Sequence, residues 1–439
     1  MSTFKQLDAL VALITSNVET VKKEYERAGV PAPDLDDTKP HPLDGVESSI
    51  VLKQAQQVIE GACAQLSVLV NAPQHTMCNH METASLNVVI QANVVDHLKG
   101  HPEGLHVSEL SKKTGIEQGK LARVLRLLAT RHCFREVSDN VFANNRLSIV
   151  LGTDHGMYYT LAHWIDEGAS FSTKLAEVLN DPEWGPSYDY NKSCFNRYTG
   201  YGEPLFIYYD VVNKELGARF GKAMIGYNAG IGAGALLTGF PWKELPAGTT
   251  LCDVGGGVGN VSMRLAKTFP QLSIVLQDLG VQIDQAKEIW SKEAPEVVEQ
   301  QRVSFVPFDF FKESPASDCD IYYLKNIIHD WPDAQAKQIL ENVKKVMKPG
   351  SRLLIQEYVL QHLNRSADSL IPVAPEPLLP NYGLGRIREY YQDLNMMVCL
   401  NAKERTLDDF TSLANDTGFK FVKLWDFGET AAIEFKKAE

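Results

Sequence analysis

The sequence predicts an α/β protein in which a mostly parallel sheet with helices on both faces fills the C-terminal part, behind an all-helical plus winged-helix N-terminal part. Three observations carry this. From Thr249 onward, apolar runs of strand length alternate with amphipathic helices. The strand-to-helix junction LCDVGGGVGN holds Gly255, Gly257 and Gly259 at alternate positions. Between Met81 and Leu151, short helical patterns are followed by two short strand patterns around the turn residues SDN.

At the N-terminus, Phe4, Leu7, Val11, Ile14, Val18 and Val21 recur at three- and four-residue spacing, which predicts a helix with one apolar face in need of a partner. VPAPDLDDTKPHPLDG cannot continue that helix and reads as a surface linker, after which a second long helix runs to about residue 70. The winged-helix outline follows. Its helix KLARVLRLL offers Lys120, Arg123 and Arg126 to a phosphate backbone. The chain as a whole is acidic, with 43 Lys plus Arg against 55 Asp plus Glu and a net charge of -12, which argues against nucleic acid and for dimerisation through this segment.

Residues 155 to 245 read as helical and rich in aromatic side chains, among them His163 and Trp164, some of which line an aromatic-accepting pocket between the two halves. The predicted organisation is therefore 1–155, 156–245 and 246–439. In the last part, strands read at TTLCDVG, LSIVLQD, VSFVPFD, DIYYLKN, RLLIQEYVL, FKFVKLWDF and AAIEFKK. Such a sheet binds its ligand outside the carboxyl ends of its strands.

Seven cysteines without a CxxC pair point to a reducing compartment rather than a disulfide framework. His75, Cys78 and His80 come nearest to a metal constellation but lack a second ligand pair, so no metal is expected. There is no apolar run of membrane-spanning length and no secretory pattern at the start, so no membrane partner and a cytoplasmic location are expected.

Three acidic strand ends describe the ligand. Asp253 opens the glycine loop, Asp278 closes the next strand where a carboxylate accepts ribose hydroxyls, and Asp309, between Phe308 and Phe310, closes the third where an adenine fits. Asn260 stands where the nicotinamide fingerprint needs glycine, so the pattern is that of a nucleoside site without a pyrophosphate requirement. The fourth strand ends in YLKNIIHDWPD, which puts His329 over the same crevice.

These motifs, with IQEYVL and NAKERTLDDF, resemble the cation-independent, class I S-adenosylmethionine-dependent O-methyltransferases of the plant caffeic acid and isoflavone type, especially their fungal relatives. The resemblance is dense from about Phe240 to Phe435 and rests on helical outline before that. It implies a Rossmann-like catalytic domain behind a dimerisation domain, S-adenosylmethionine as cofactor, S-adenosylhomocysteine as product, and a homodimer acting on a small phenolic molecule. It implies that Asp253, Gly255 and Gly257 of the loop bind the cofactor, with Gly255 beside its methionine part, Asp278 at the ribose, Asp309 with Phe310 at the adenine, and Lys325 at a further cofactor contact. His329 matches the catalytic base, Glu357 and Glu404 the carboxylates that flank and orient it, and Asp330 a residue near the acceptor hydroxyl. Met396 matches a methionine packed on the acceptor ring. The stretch QHLNRSADSLIPVAPEPLLPNYGLGRIR is longer and richer in proline than the plant pattern, and reads as a solvent-exposed excursion or a lid. An alternative keeps the fold and changes the reaction to a dehydration or pericyclic rearrangement that does not consume the cofactor.

Overall fold

The computed structural model describes residues 4–45, 48–73, 81–230, 235–365 and 369–438. His75, Cys78 and His80 lie outside them. The wing is a three-stranded antiparallel sheet of β1 (Leu105–His106), β2 (Arg135–Ser138) and β3 (Val141–Ala143). Asn140 takes a positive φ of 60° in the SDN turn, a conformation that asparagine tolerates better than most residues. Val94, Leu121, Leu125 and Leu128 are fully buried inside this unit, so the apolar face packs internally. Arg126 is bound to Glu136 and Asn140 rather than left for phosphate.

All seven apolar runs of the C-terminal part form one sheet. Its strands are β4 (Thr249–Val254), β5 (Leu272–Asp278), β6 (Val303–Pro307), β7 (Ile321–Lys325), β8 (Arg352–Glu357), β11 (Phe419–Asp426) and β12 (Ala431–Lys437). Between β8 and β11 in the chain, β9 (Val359–Leu360) and β10 (Arg405–Thr406) pair with each other in parallel. The strand order is β11-β12-β8-β7-β4-β5-β6, with β12 antiparallel to β8 and to β11 and the other neighbours parallel. Side chains alternate between the two faces: Ile321 and Tyr323 of β7 join a cluster with Leu251, Leu276 and Trp290, while Tyr322 and Leu324 join one with Val254, Ile339 and Phe410. From β4 the chain moves outward to β5 and β6, then returns to lay β7 on the other side of β4. That reversal opens the crevice of a parallel sheet at the ends of β4 and β7.

The proline-rich stretch is not a solvent-exposed excursion throughout. Its second half packs under the opening helices Lys5–Ala28 and Ile50–Val70, where Ala374, Leu378 and Tyr382 share a core with Leu10, Val58 and Ala62. Glycines permit this approach: a Cβ on Gly61 would stand 2.2 Å from the Tyr382 carbonyl, and one on Gly385 would stand 2.2 Å from that of Gln57. The opening helix thereby finds its partner through Leu10, though Phe4 and Val11 stay exposed. Among the described residues, no helix is long and apolar enough to cross a membrane.

Candidate active site

The glycine loop follows from the need to turn from β4 into the helix Asn260–Thr268 while leaving room for a ligand. Gly255, Gly257 and Gly259 all have positive φ, between 59° and 79°. A Cβ at Gly259 would collide with Trp290, and one at Gly255 would stand 2.6 Å from the Ile327 side chain, whereas one at Gly257 would meet nothing within 4 Å. The loop is therefore packed from behind and open at Gly257. Asp278 Oδ2 accepts the Gly257 N–H at 2.7 Å and Oδ1 accepts that of Leu279 at 2.7 Å, so the carboxylate at the end of β5 both shapes the loop and stands beside it. Burial pushes the Asp278 carboxyl up.

Asp253 is 3% exposed, and burial pushes its carboxyl up to about 7 against the opposing Ser262 hydrogen bond and Lys325 charge. Burial pushes the Lys325 ammonium down to about 8, while Asp253 and Glu357 oppose it. An acid and a base drawn toward each other's range beside an open glycine loop suit a ligand that carries both an ammonium and a carboxylate. Asp309 caps its own turn through the Phe311 N–H at 3.0 Å and pairs with Lys312 at 2.7 Å. Phe308 is buried in the core, so Phe310, 3.6 Å from the Cβ position of Gly255, is the ring that faces the loop.

The His329 turn is held from both sides. Glu357, the last residue of β8, accepts the N–H groups of Ile327, Ile328 and His329 with one oxygen, at 3.1, 2.7 and 3.1 Å. Arg405, 1% exposed, donates from the opposite side to the carbonyls of Ile328 and Trp331 at 2.8 and 2.9 Å, and it pairs with Asp333 at 2.7 Å. The β9–β10 pairing places Glu404 just before Arg405, so that Glu404 Oε1 lies 2.6 Å from His329 Nδ1. Both side chains are buried. Burial pushes the Glu404 carboxyl well up, with Asp393 adding to the effect and Arg405 opposing it, so a charge there depends on a proton at Nδ1 to answer it.

The two glutamates expected to flank the imidazole thus divide their work. Glu404 meets the ring, and Glu357 meets the backbone. The reason is that Glu357 ends a strand directly beneath the turn, where three unpaired N–H groups converge and a carboxylate satisfies them all.

His329 opens onto a cavity of about 70 Å³ whose walls include His163, Trp164, Phe206, Phe220 and Met396. Asp330 also lines it, and burial pushes its carboxyl up to about 7; its Oδ1 lies 3.5 Å from His329 Nε2. The cavity adjoins the glycine crevice: Tyr227 lines the cavity with its ring 5.8 Å from Lys325 Nζ, and Ile327 packs on Gly255 two residues before His329. Most of the sequence-predicted site residues therefore fall on one crevice and its adjoining cavity, with Asp309 at the margin and Glu357 and Glu404 buried behind the His329 turn. Arg405 and Asn326, the latter at a positive φ of 53° on the cavity wall, were not predicted. Both lie inside quoted motifs, Asn326 in YLKNIIHDWPD and Arg405 in NAKERTLDDF, but nothing in either motif marks the residue's own role. Among the described residues, no group of three or more His, Cys, Asp or Glu has the geometry to hold a metal ion.

Comparison with known proteins shows what the chain is similar to in sequence and fold. Residues 187–420 match the model of the O-methyltransferase domain, and residues 74–154 match that of the O-methyltransferase dimerisation domain. The chain is 43% identical over 435 residues to 3-O-methyltransferase 2 of Phanerochaete chrysosporium, covering 98% of this chain and 97% of that one. In fold it is similar to OxaC solved with S-adenosylhomocysteine and oxaline, at 21% identity and a TM-score of 0.70 over 98% of this chain and 100% of that one. It is equally similar in fold to a structure described as a pericyclic reaction enzyme, at 18% identity and a TM-score of 0.71 over 98% and 100% of the two chains. With a catalytic-domain match across more than half its length, a dimerisation-domain match over the winged helix and a near full-length relative, the chain belongs to the S-adenosylmethionine-dependent O-methyltransferase family.

Proposed function

We propose that this protein transfers a methyl group from S-adenosylmethionine to a hydroxyl of a small phenolic molecule, with His329 as general base, and that it acts as a homodimer. The observation that carries the reading is the buried 2.6 Å contact between His329 Nδ1 and Glu404 at the junction of the cavity and the glycine crevice. The residues of the crevice fit the cofactor. Gly255 and Gly257 would admit its methionine part, Asp278 would take the ribose hydroxyls, Phe310 with Asp309 would border the adenine, and Asp253 and Lys325 would answer its ammonium and carboxylate. When bound, S-adenosylmethionine supplies an electrophilic methyl group on a sulfonium sulfur.

The chain's own residues supply the rest. With the proton on Nδ1 facing Glu404, His329 Nε2 has a lone pair directed to the cavity. A phenol with a pKa near ~10 is only about one part in a thousand ionised at neutral pH, so a positioned base raises the population of attacking oxygen. As the hydroxyl proton moves to Nε2, Glu404 stabilises the imidazolium. Glu357 and Arg405 hold the turn still, and Asp330 lies beside Nε2, where it hydrogen-bonds the incoming hydroxyl. Trp164, Phe206 and Met396 give the ring an apolar berth. An engineered cavity of about 150 Å³ is enough for benzene, so a ring entering this 70 Å³ space displaces side chains, and the unbranched Met224 and Met396 of its wall are suited to yield.

The test is to incubate the protein with S-adenosylmethionine and a panel of phenols and measure both products by mass spectrometry. The expected result is one S-adenosylhomocysteine per methylated product. Tight binding of the cofactor with none of it consumed, alongside dehydration or isomerisation of a substrate, would replace methyl transfer by the alternative chemistry.

A further inference from the structure

A second histidine–carboxylate pair faces the same cavity, and methyl transfer does not use it. His163 begins a π-helical turn, His163–Gly168, at whose end a Cβ on Gly168 would stand 3.3 Å from Asn395 Oδ1 of the cavity wall. Its Nδ1 lies 2.8 Å from Glu167 Oε2, and both side chains are buried. Glu167 is itself anchored, accepting the Tyr209 hydroxyl at 2.9 Å and pairing with Arg219 at 2.8 Å. Burial pushes the Glu167 carboxyl up, but the His163 and Arg219 contacts outweigh it and hold the group below its ordinary value. Glu167 is therefore a carboxylate that only accepts, and the ring proton stands on Nδ1. The Phe220 ring packs edge-on against the imidazole at 5.2 Å and fixes its plane. Nε2 makes no hydrogen bond to any described residue, and the side chain lines the cavity.

We infer that His163 is a specificity-determining residue whose Nε2 accepts a hydrogen bond from a second hydroxyl of the acceptor, so that the preferred substrates are arenes with two free hydroxyls, one methylated and one held. The inference rests on the methyl-transfer reading and adds a substrate class to it. The physical reason is that a mostly apolar cavity with a fixed, otherwise unsatisfied acceptor favours a ligand that brings a donor there and penalises one that leaves the nitrogen dry. A network of three side chains holding one imidazole is more than packing requires.

The experiment compares a dihydroxynaphthalene with the naphthol that keeps only the methylated hydroxyl, on the parent protein and on His163→Phe, with S-adenosylhomocysteine release as readout. The parent should favour the diol by about tenfold in kcat/KM, mainly through KM, and the ratio should fall to near one in His163→Phe. If His163→Phe does not fold, His163→Leu serves instead: it occupies much of the same space, offers no polar atom to the second hydroxyl and should flatten the same ratio. A flat ratio in the parent, or a ratio unchanged in the variants, overturns the assignment of His163 alone. No turnover of either naphthalene by the parent, with cofactor bound, overturns the methyl-transfer reading beneath it.

Discussion

Replacing Glu404 by Gln probes the proposed base without removing it. Glu404 Oε1 contacts His329 Nδ1 at 2.6 Å inside the protein, while its other oxygen has no hydrogen-bond partner among the described residues. A glutamine of the same shape removes the charge that stabilises the imidazolium: with its oxygen on Nδ1 it cannot answer the second ring proton, and with its N–H there it leaves the proton on Nε2 and no lone pair facing the acceptor. General-base catalysis is typically worth ~10² to 10⁴ in rate. We expect kcat to fall by about 10² to 10³, which corresponds to about 3 to 4 kcal/mol of transition-state stabilisation at ~1.4 kcal/mol per tenfold. KM should change little, because Glu404 does not line the cavity. The assay is initial-rate release of S-adenosylhomocysteine from the best acceptor of the phenol panel, with calorimetric binding of the cofactor as the check on folding. A Glu404→Gln protein that binds cofactor normally and turns over within threefold of the parent would refute the reasoning.

Glu357→Gln should be milder, within about tenfold of the parent in kcat, because the amide oxygen still accepts the three N–H groups of the turn; Glu357→Ala, which strands them, should lower the melting temperature by ~2 °C or more, the effect of about 1 to 3 kcal/mol. Gly255→Ala forces a methyl group to within 2.6 Å of Ile327 at a φ of 72°, so cofactor affinity measured by calorimetry should fall by about tenfold or more. Asp253 gives a pH dependence of definite sign. Its folded carboxyl titrates at about 7 against 3.8 in a free chain, so the folded protein holds the proton more tightly. That contribution to stability is complete below about 4 and is lost as pH rises through about 7. Melting temperatures of cofactor-free protein should decline over this window, and Asp253→Asn should decline less steeply; an equal slope for the two proteins contradicts the assignment.

The seven-stranded sheet was legible in the sequence because strands covered on both faces read as continuous apolar runs, and LSIVLQD and DIYYLKN do so plainly. The glycine loop, Asp278 and His329 were legible because each sits at a strand's carboxyl end, a position that the alternation itself marks. The division between Glu357 and Glu404 was not. It depends on β9 and β10, two-residue strands too short to give any periodicity, and on backbone N–H groups that leave no trace in a pattern of side chains. Arg405 was hidden for the same reason. The path of residues 374–386 under the opening helices comes from contacts more than 300 residues apart in sequence, such as Gln65 to the Pro377 carbonyl, which local reading does not reach. His163 and Glu167, by contrast, stand four residues apart on a helical stretch, and that spacing alone would have paired them.

The central claim is that His329 takes the acceptor proton while the methyl group leaves the cofactor. The most direct measurement is a single-turnover reaction with S-adenosylmethionine carrying a deuterated methyl group, run with the parent protein and His329→Ala across pH. The account predicts label in the methylated product of the parent and a rate at least ~10² lower in the variant near neutral pH, with the gap narrowing as pH approaches the acceptor's own pKa. Label transfer by His329→Ala at the parent's rate and with the parent's pH profile would contradict it.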